Sequence, residues 1–289
     1  MSAEAGMQFM SRSEYDALPE RVNFSTLKWM GRSPEHYLHA LLERSEDTDA
    51  MLRGRAVHMN IFEPERFRST FVVWEDRRAG KDWEAFEKKM RLEGKEVLTE
   101  KMHALSVAIA GKARTHPLLA KYLTGGKGEQ TLLWSHEFPA MGALQGYSVK
   151  CKGRLDFISN LGPIVDLKTT DDASPENFYW SARRYKYFAQ AAWYRDGLRN
   201  ALGEELPRPF VIAAIEAKPP YACQVYRVTE EDLAAGRDQY RAWLDRLDLC
   251  RREGRYPGYS DGELELEAPE FIERSTEDDS TGLGLVING

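Results

Sequence analysis

The sequence predicts an α/β fold, in which one domain has a mixed central β-sheet with α-helices on both faces. Two observations support this prediction. Predicted helices come first along the chain, then a group of strands, then a helix, two strands and a last long helix. Hydrophobic residues make up 42% and charged residues 30% of the 289 residues, which is typical of a globular protein with a sizeable core. We therefore expect a single domain over residues 1–260 and an acidic tail over residues 261–289.

Residues 1–68 are predicted to be a mainly helical part of this domain. Ser33, Pro34 and Glu35 indicate a helix start, since a hydroxyl caps free amides, proline suits the first helical position and an acid favours the dipole. A second helix is predicted over residues 50–62 and carries His58. Taken alone, His58 among apolar neighbours is typical of a core histidine with a backbone partner.

A β-hairpin is predicted at the centre of the chain. Strands over residues 154–159 and 163–168 flank Asn160, Leu161 and Gly162, which are good turn residues. Asp166 and Lys168 lie two positions apart, so their side chains project from the same face of the second strand. Burying an acid and a lysine on an apolar strand is costly unless they are paired or functional. Antiparallel pairing could bring Asp156 to the same edge of the sheet.

Two carboxylates and an ammonium group in one place suit a hard divalent cation. Mg²⁺ binds one or two protein carboxylates, keeps several waters and bridges to substrate phosphates. Lys168 would then orient or deprotonate the attacking water, or neutralise charge in the transition state. A surface salt bridge at a strand end explains the same D-x-K pattern, because such short patterns occur by chance.

The elements around the hairpin supply further candidate residues. Glu129 precedes a predicted strand over residues 131–138 and could be an ordinary acid at a strand start. Another strand is predicted over residues 145–151. Predicted helices over residues 82–92 and 99–115 are charged enough to lie on the surface.

A long helix is predicted after the hairpin, over residues 174–198. Gln190 and Tyr194 lie four positions apart and share a face of this helix. Aromatic residues alternate along it with three basic residues, which are Arg183, Arg184 and Lys186. Core packing of the rings with a solvated basic face explains the mixture. The mixture also suits a helix that lines a DNA groove, where bases contact rings and phosphates contact cations.

The net charge of −6 does not exclude a nucleic-acid partner, because it is unevenly distributed. Nine acids against one base give residues 261–289 a charge of −8, which leaves +2 for residues 1–260. A nearly neutral body can still line one groove with arginines. The sequence shows neither a membrane span nor a signal-peptide pattern, and its three scattered cysteines favour a reducing cytoplasm over a disulfide framework.

Five motifs occur in one order along the chain. They are G-R-A-V-H ending at His58, Glu129 before a strand, G-R-L-D ending at Asp156, D-L-K at residues 166–168, and Q-x-x-x-Y at residues 190–194. With these motifs, and with F-S-T-L-K and R-S-P-E-H-Y within residues 24–37, the chain resembles the PD-(D/E)XK nucleases over roughly residues 20–255. The closest resemblance is to the RecB-like branch and its RecE-type phage exonuclease (exodeoxyribonuclease VIII-like) domain. This resemblance implies a restriction-endonuclease-like core.

The resemblance also implies a role for each motif residue. His58, Asp156 and Asp166 would bind a metal ion, with the backbone carbonyl of Leu167 as a further ligand. Lys168 would position or activate the water, and Glu129 would bind or orient a second metal ion or its water. Gln190 and Tyr194 would support the site or contact DNA. Mg²⁺ is expected, although Mn²⁺ suits the same ligands, and two ions would stabilise the attacking and leaving oxygens.

The function implied by the resemblance is hydrolysis of one strand of duplex DNA from its 5′ end, which exposes a 3′ overhang for a RecT-like annealing protein. A closed homo-oligomeric ring around DNA, encoded by a phage or prophage and working in bacterial cytoplasm, is implied as well. Three scattered cysteines cannot hold the iron–sulfur cluster of some related branches. The alternatives are a nicking or structure-selective endonuclease of the same fold, and a DNA-binding recombination scaffold without activity. The apolar G-L-G-L-V-I segment of the acidic tail suggests docking to the annealing protein or a neighbouring subunit.

Overall fold

The computed structural model describes residues 5–43, 48–139, 146–203 and 208–266. The strands in these ranges are β1 (Gly6–Phe9), β2 (Val22–Asn23), β3 (Phe71–Trp74), β4 (Glu96–Thr99), β5 (Gly126–Phe138), β6 (Tyr147–Ser159), β7 (Ile164–Thr170), β8 (Phe210–Glu216) and β9 (Cys223–Arg227). The helices are α1 (Arg12–Asp16), α2 (Phe24–Leu27), α3 (Pro34–Leu42), α4 (Asp49–Phe62), α5 (Pro64–Thr70), α6 (Lys81–Leu92), α7 (Glu100–Thr115), α8 (Pro117–Tyr122), α9 (Pro175–Tyr185), α10 (Tyr187–Leu202) and α11 (Glu230–Glu253). A 3₁₀ turn at Lys28–Gly31 follows α2.

The central sheet is mixed, which confirms the predicted α/β class. Its strand order is β1-β5-β6-β7-β8-β9, and β2 pairs with β6 to one side of this path. The β7–β8 and β2–β6 pairs are parallel, whereas the β1–β5, β5–β6, β6–β7 and β8–β9 pairs are antiparallel. Strands β3 and β4 form a separate parallel pair. Most neighbouring strands in the sheet are therefore antiparallel, as expected where hairpins connect them.

Hydrophobic cores cover both faces of the sheet, and β8 shows how its sequence divides between them. Phe210, Ile212 and Ala214 belong to one core with α10 and α11, whereas Val211 and Ala213 belong to a second core with α4 and α7. Successive side chains of a strand point to opposite faces, so a continuous apolar run is what a strand buried on both sides requires.

Two expectations about element boundaries were wrong. The strands predicted over residues 145–151 and 154–159 form one strand, β6, which passes through Gly153 and pairs with β5 along its length. The helix predicted over residues 174–198 is broken into α9 and α10 at Lys186, whose backbone is left-handed (φ 64°, ψ 34°).

Local signals predicted several boundaries correctly. The Ser33 side chain caps α3 by accepting a hydrogen bond from the His36 amide, and α4 ends before Pro64 as expected. The prediction for the acidic tail concerns residues 261–289, of which 267–289, including G-L-G-L-V-I, lie outside the described residues. In the described ranges, no helix combines the length and apolar character needed to cross a membrane.

Candidate active site

The site lies where β6 and β7 separate. Phe157 and Ile158 pair with Val165 and Ile164, but the described pairing between these strands extends no further. The backbone amide of Leu167 instead donates a hydrogen bond to the Asp156 carboxylate at 2.8 Å. A side chain thus replaces a strand-to-strand backbone bond, and the gap that results opens beside Asp156.

Three side chains from three elements meet in this gap. Within the described part of the chain, His58 of α4, Glu129 of β5 and Asp156 of β6 place potential ligand atoms within 4.8 Å of one another. The His58 Nδ1 atom lies 3.3 Å from an Asp156 carboxylate oxygen, and all three side chains are half-buried. One imidazole nitrogen and two carboxylates form a donor set that fits Mg²⁺ or Mn²⁺.

The charges in this group depend on one another. Burial by itself would lower the pKa of His58, but the carboxylates of Asp156 and Glu129 raise it to about 9. Burial and the Asp156 charge raise the pKa of Glu129 to about 7, although His58 and Arg154 oppose this. Burial also disfavours ionised Asp156, yet His58, Lys168 and the Leu167 amide hold the pKa of Asp156 below its usual range. A divalent cation would stabilise both ionised carboxylates and compete with the proton on His58.

Glu129 is held in this group by an uncommon backbone conformation. Its φ of 49° is in the left-handed region, which costs a non-glycine residue free energy. Gly128 pairs with Phe157 and Gln130 with Leu155, so Glu129 lies opposite Asp156 on the neighbouring strand. The interpretation of Glu129 as an ordinary strand-start acid does not predict this placement, because it lies inside β5 beside two other potential ligands.

Asp166 and Lys168 form a buried ion pair rather than a surface salt bridge. Lys168 Nζ lies 2.7 Å from an Asp166 carboxylate oxygen, and the two side chains are 15% and 5% exposed. Burial raises the pKa of Asp166 to about 6, against the opposing effect of the Lys168 ammonium. Burial would lower the pKa of Lys168, but the charges of Asp166 and Asp156 raise it. Lys168 therefore remains protonated at neutral pH.

The Lys168 ammonium has two further contacts, both from the start of α10. It donates a hydrogen bond to Gln190 Oε1 at 2.9 Å and lies 4.7 Å from the centre of the Tyr187 ring. Gln190 Nε2 in turn donates to the Tyr194 hydroxyl at 3.4 Å. The predicted shared face of Gln190 and Tyr194 is thus confirmed. Gln190 therefore contacts Lys168 directly, and Tyr194 contacts Gln190.

The remaining predicted residues lie elsewhere. The carboxylate of Asp166 and the backbone of Leu167 are outside the three-residue group, although both are adjacent to it through Lys168 and Asp156. Arg183 and Arg184 are exposed on α9, and Lys186 is half-buried at its end. These three cations lie at the end of α9, where α10 begins.

Two residues that the motifs did not single out also affect the site. Arg154, two positions before Asp156, lowers the pKa of Glu129 by its charge, and its position inside G-R-L-D was an available signal. Burial and the charge of Lys168 lower the pKa of Lys28. In the described residues no carboxylate forms a salt bridge with Lys28, so a second ammonium near the site lacks a counter-charge.

Comparisons with known proteins agree with this fold. The family described as a PDDEXK-like domain of unknown function (DUF3799) matches residues 23–267. The crystal structure of a "putative exonuclease" from Eubacterium rectale is similar with a TM-score of 0.60 and 19% sequence identity, covering 91% of this chain and 96% of that chain. A crystal structure described as SSO0001 matches with a TM-score of only 0.27 and 15% identity, over 81% and 86% of the two chains. No curated protein matches the chain.

Proposed function

Because the chain belongs to the family of PDDEXK-like domains of unknown function (DUF3799), we propose that it is a metal-dependent DNA exonuclease of the RecE type. It would hydrolyse linear duplex DNA from 5′ to 3′ and leave 3′ overhangs for recombination by strand annealing. The observation that carries the proposal is the meeting of four motifs in one gap of the sheet, where His58, Glu129 and Asp156 lie beside the buried pair of Asp166 and Lys168. A fold by itself does not imply a function, so the argument depends on this site.

The donor set of the gap supports a divalent cation. His58, Glu129 and Asp156 would hold Mg²⁺ or Mn²⁺, and Asp166 and the Leu167 carbonyl would complete a site for two ions. When bound, such an ion supplies Lewis-acid stabilisation of the phosphate oxygens and lowers the pKa of a bound water.

Lys168 is the candidate for water positioning and charge neutralisation. Its ammonium is held from three sides by Asp166, Gln190 and Tyr187. A charge already fixed in place stabilises developing phosphate charge without reorganising at the moment of reaction. With its pKa raised, Lys168 is a poor proton acceptor, so we favour a role in which it donates hydrogen bonds to the attacking water or a phosphate oxygen.

The basic residues at the α9–α10 junction would contact the DNA backbone. Arg183 and Arg184 are exposed, and cations at such positions bind phosphates without reading the base sequence. We propose that they and Lys186 position the strand, while Gln190 and Tyr194 hold the site from behind.

The test uses linear duplex DNA labelled at either the 5′ or the 3′ end, with Mg²⁺, Mn²⁺ or EDTA. Asp166→Ala and Lys168→Ala should each lower the cleavage rate by at least about 100-fold, and Lys88→Ala on exposed α6 should have no effect. Metal-dependent release of nucleotides from the 5′ end is the expected result. Release from the 3′ end would refute the polarity, and cutting of closed circular DNA would identify an endonuclease. No cleavage of linear, nicked or circular DNA would favour the binding scaffold.

Two further parts of the proposal rest on the sequence resemblance alone. They are a closed homo-oligomeric ring around DNA and a RecT-like annealing partner. Sedimentation of the full 33.1 kDa chain should give a closed oligomer, whereas a monomer at micromolar concentration would contradict the ring. Deleting residues 261–289 should abolish pull-down of a RecT-like annealing protein, and unchanged assembly and pull-down would refute docking through this tail.

A further inference from the structure

Two tyrosines lead outward from Lys168 to the surface. The Tyr187 ring lies 4.7 Å from the Lys168 ammonium, and the Tyr185 ring lies 5.8 Å from Tyr187 with the two planes 26° apart. Tyr187 is half-buried, whereas Tyr185 is 51% exposed. The two rings therefore form a stacked pair with one end at the candidate active site and the other in solvent.

The break between α9 and α10 creates this pair. In a continuous α-helix, residues two positions apart point to nearly opposite sides, about 200° apart, so their rings cannot stack. Lys186 separates the two tyrosines and has a left-handed backbone with φ 64° and ψ 34°. A lysine in this conformation costs free energy, and such strain is often found at functional sites. Here the strained residue is the one that places the two rings on the same side.

The charge around the pair favours an anionic partner. The guanidinium of Arg184 lies 5.6 Å from the Tyr185 ring, and Arg183 and Lys186 are nearby in sequence. Among the described residues, no carboxylate forms a salt bridge with these three cations. Aromatic rings beside unneutralised cations are typical of single-stranded nucleic-acid sites, where bases stack and phosphates contact cations. A base inside a duplex is stacked on both faces already, so Tyr185 can accept only an unpaired base.

We propose that Tyr185 and Tyr187 form a stacking platform for an unpaired base of the DNA strand being cut, with Arg184 contacting an adjacent phosphate. The location of the scissile phosphate at Lys168 rests on the proposed function. Taken end to end, the two steps of 4.7 Å and 5.8 Å correspond to at most about three nucleotides, at roughly 3.4 Å each along a stacked strand. The substrate is therefore a DNA end whose last few nucleotides are unpaired or become unpaired on binding.

Trp180 provides a matched control for Tyr185. It lies on the same helix, its exposure of 49% nearly equals the 51% of Tyr185, and it also has an arginine beside it, Arg183 at 5.7 Å. Its ring contact is with Tyr179, however, and not with the pair that leads to Lys168. If DNA binds to a general apolar or cationic surface, substitution of either residue should weaken binding. If it binds to the platform, only substitution of Tyr185 should do so.

The first experiment measures binding in EDTA, where a metal-dependent enzyme cannot cut. Anisotropy of a labelled 12-nucleotide single strand should show about 5- to 100-fold weaker binding for Tyr185→Ala, as expected for the loss of one stacked base. Tyr185→Phe, which keeps the ring, and Trp180→Ala should bind within about twofold of wild type. A relaxed, covalently closed circular duplex, which has no unpaired bases, should bind all variants equally. Circular dichroism melts verify that each variant is folded.

The second experiment locates the stacked base. The fluorescent base 2-aminopurine is placed in turn at each of the first five positions from the 5′ end of the single strand. Quenching should be strongest at the second or third position with wild type, and it should disappear with Tyr185→Ala.

The outcomes separate this inference from the proposed function. If Tyr185→Ala binds the single strand as wild type does, or if Trp180→Ala weakens binding equally, the platform is refuted even when the enzyme cuts DNA. If Tyr185→Ala changes only self-association, the surface is a protein interface and the platform is refuted. If wild type cuts no DNA in either metal but binding and quenching follow the expected pattern, the platform stands and the nuclease proposal fails.

Discussion

Asp196 of α10 holds this helix against α11. The same helix carries Gln190, which contacts Lys168. The Asp196 carboxylate accepts hydrogen bonds from Nε and Nη2 of Arg237 at 2.6 and 2.8 Å and from the Tyr240 hydroxyl at 2.6 Å. The substitution Asp196→Asn keeps the shape of the side chain but removes the charge and replaces one acceptor oxygen by a donor. We expect the folded state to lose stability as a result.

The magnitude follows from the burial of the pair. A hydrogen bond to a charged group contributes about 1.5–3 kcal/mol, and breaking a buried ion pair costs about 3–5 kcal/mol. The Asp196 and Arg237 side chains are 13% and 27% exposed, so water replaces part of the lost interaction. We therefore expect the free energy of unfolding to fall by about 2–4 kcal/mol. Asp248→Asn is the control, since its pair with Arg252 is a more exposed i,i+4 contact on α11 that contributes less than about 1 kcal/mol.

The effect should depend on pH with a definite sign. Burial opposes ionisation of Asp196, but the hydrogen bonds from Arg237 and Tyr240 outweigh it and hold the pKa of Asp196 below its ordinary value. A carboxyl group with a lowered folded-state pKa contributes stability that is present above the unfolded pKa, about 4, and is lost as pH falls through the folded pKa. The difference between wild type and Asp196→Asn should therefore be constant from about pH 5 to 8 and shrink below about pH 4.

Urea unfolding followed by circular dichroism at pH 7, 5 and 3.5 measures these differences. The midpoint should shift without a change in the slope of free energy against urea, because the substitution alters stability and not the surface exposed on unfolding. A difference below about 0.5 kcal/mol at pH 7, or one that grows as the pH falls, would refute the role assigned to Asp196.

Three more substitutions test other parts of the structure. Lys186→Gly should raise the free energy of unfolding by about 0.5–1 kcal/mol in urea titrations, because glycine accepts the left-handed backbone; a less stable variant would contradict this. Gly236→Ala should lower the free energy of unfolding by about 1–3 kcal/mol, since the new Cβ atom would lie 2.4 Å from the Phe188 carbonyl oxygen. In the control Gly54→Ala on α4, the new Cβ atom would have no atom within 4 Å, so this variant should not be destabilised. Equal melting temperatures of the two variants would refute the contact at Gly236. Lys28→Met should reduce the slope of log affinity for DNA against log salt by about 1 in EDTA, and an unchanged slope would exclude a phosphate contact.

Features that depend on neighbouring residues could be predicted from the sequence. The start of α3 at Ser33 and the end of α4 before Pro64 follow from capping and from the geometry of proline. The shared face of Asp166 and Lys168 follows from the two-residue period of a strand, and the 2.7 Å ion pair confirms it. The family was also predicted at the level of the PD-(D/E)XK fold, because five motifs in one order are far more specific than any one of them. The RecE-type branch stays a prediction.

Features that depend on distant packing could not be predicted in this way. Nothing near Lys186 in the sequence indicates a helix break, since lysine is a good helix former and no glycine or proline is adjacent. The burial of Ile109 on α7 depends on the sheet that covers it, not on the charge of its own helix. The short strands β1 and β4 were not predicted, because edge strands of four residues carry too little periodicity.

The sequence by itself determined which residue types are available for chemistry. These are carboxylates and a lysine on predicted strands, or beside one, and an imidazole on a predicted helix. Only the tertiary structure decided which of them meet. His58, Glu129 and Asp156 come together through a helix, a left-handed residue inside β5 and the separation of β6 from β7. Asp166 instead pairs with Lys168. The physical reason is that these residues are far apart in the chain, and their distances are set by the packing of three elements against one another, which no local period encodes.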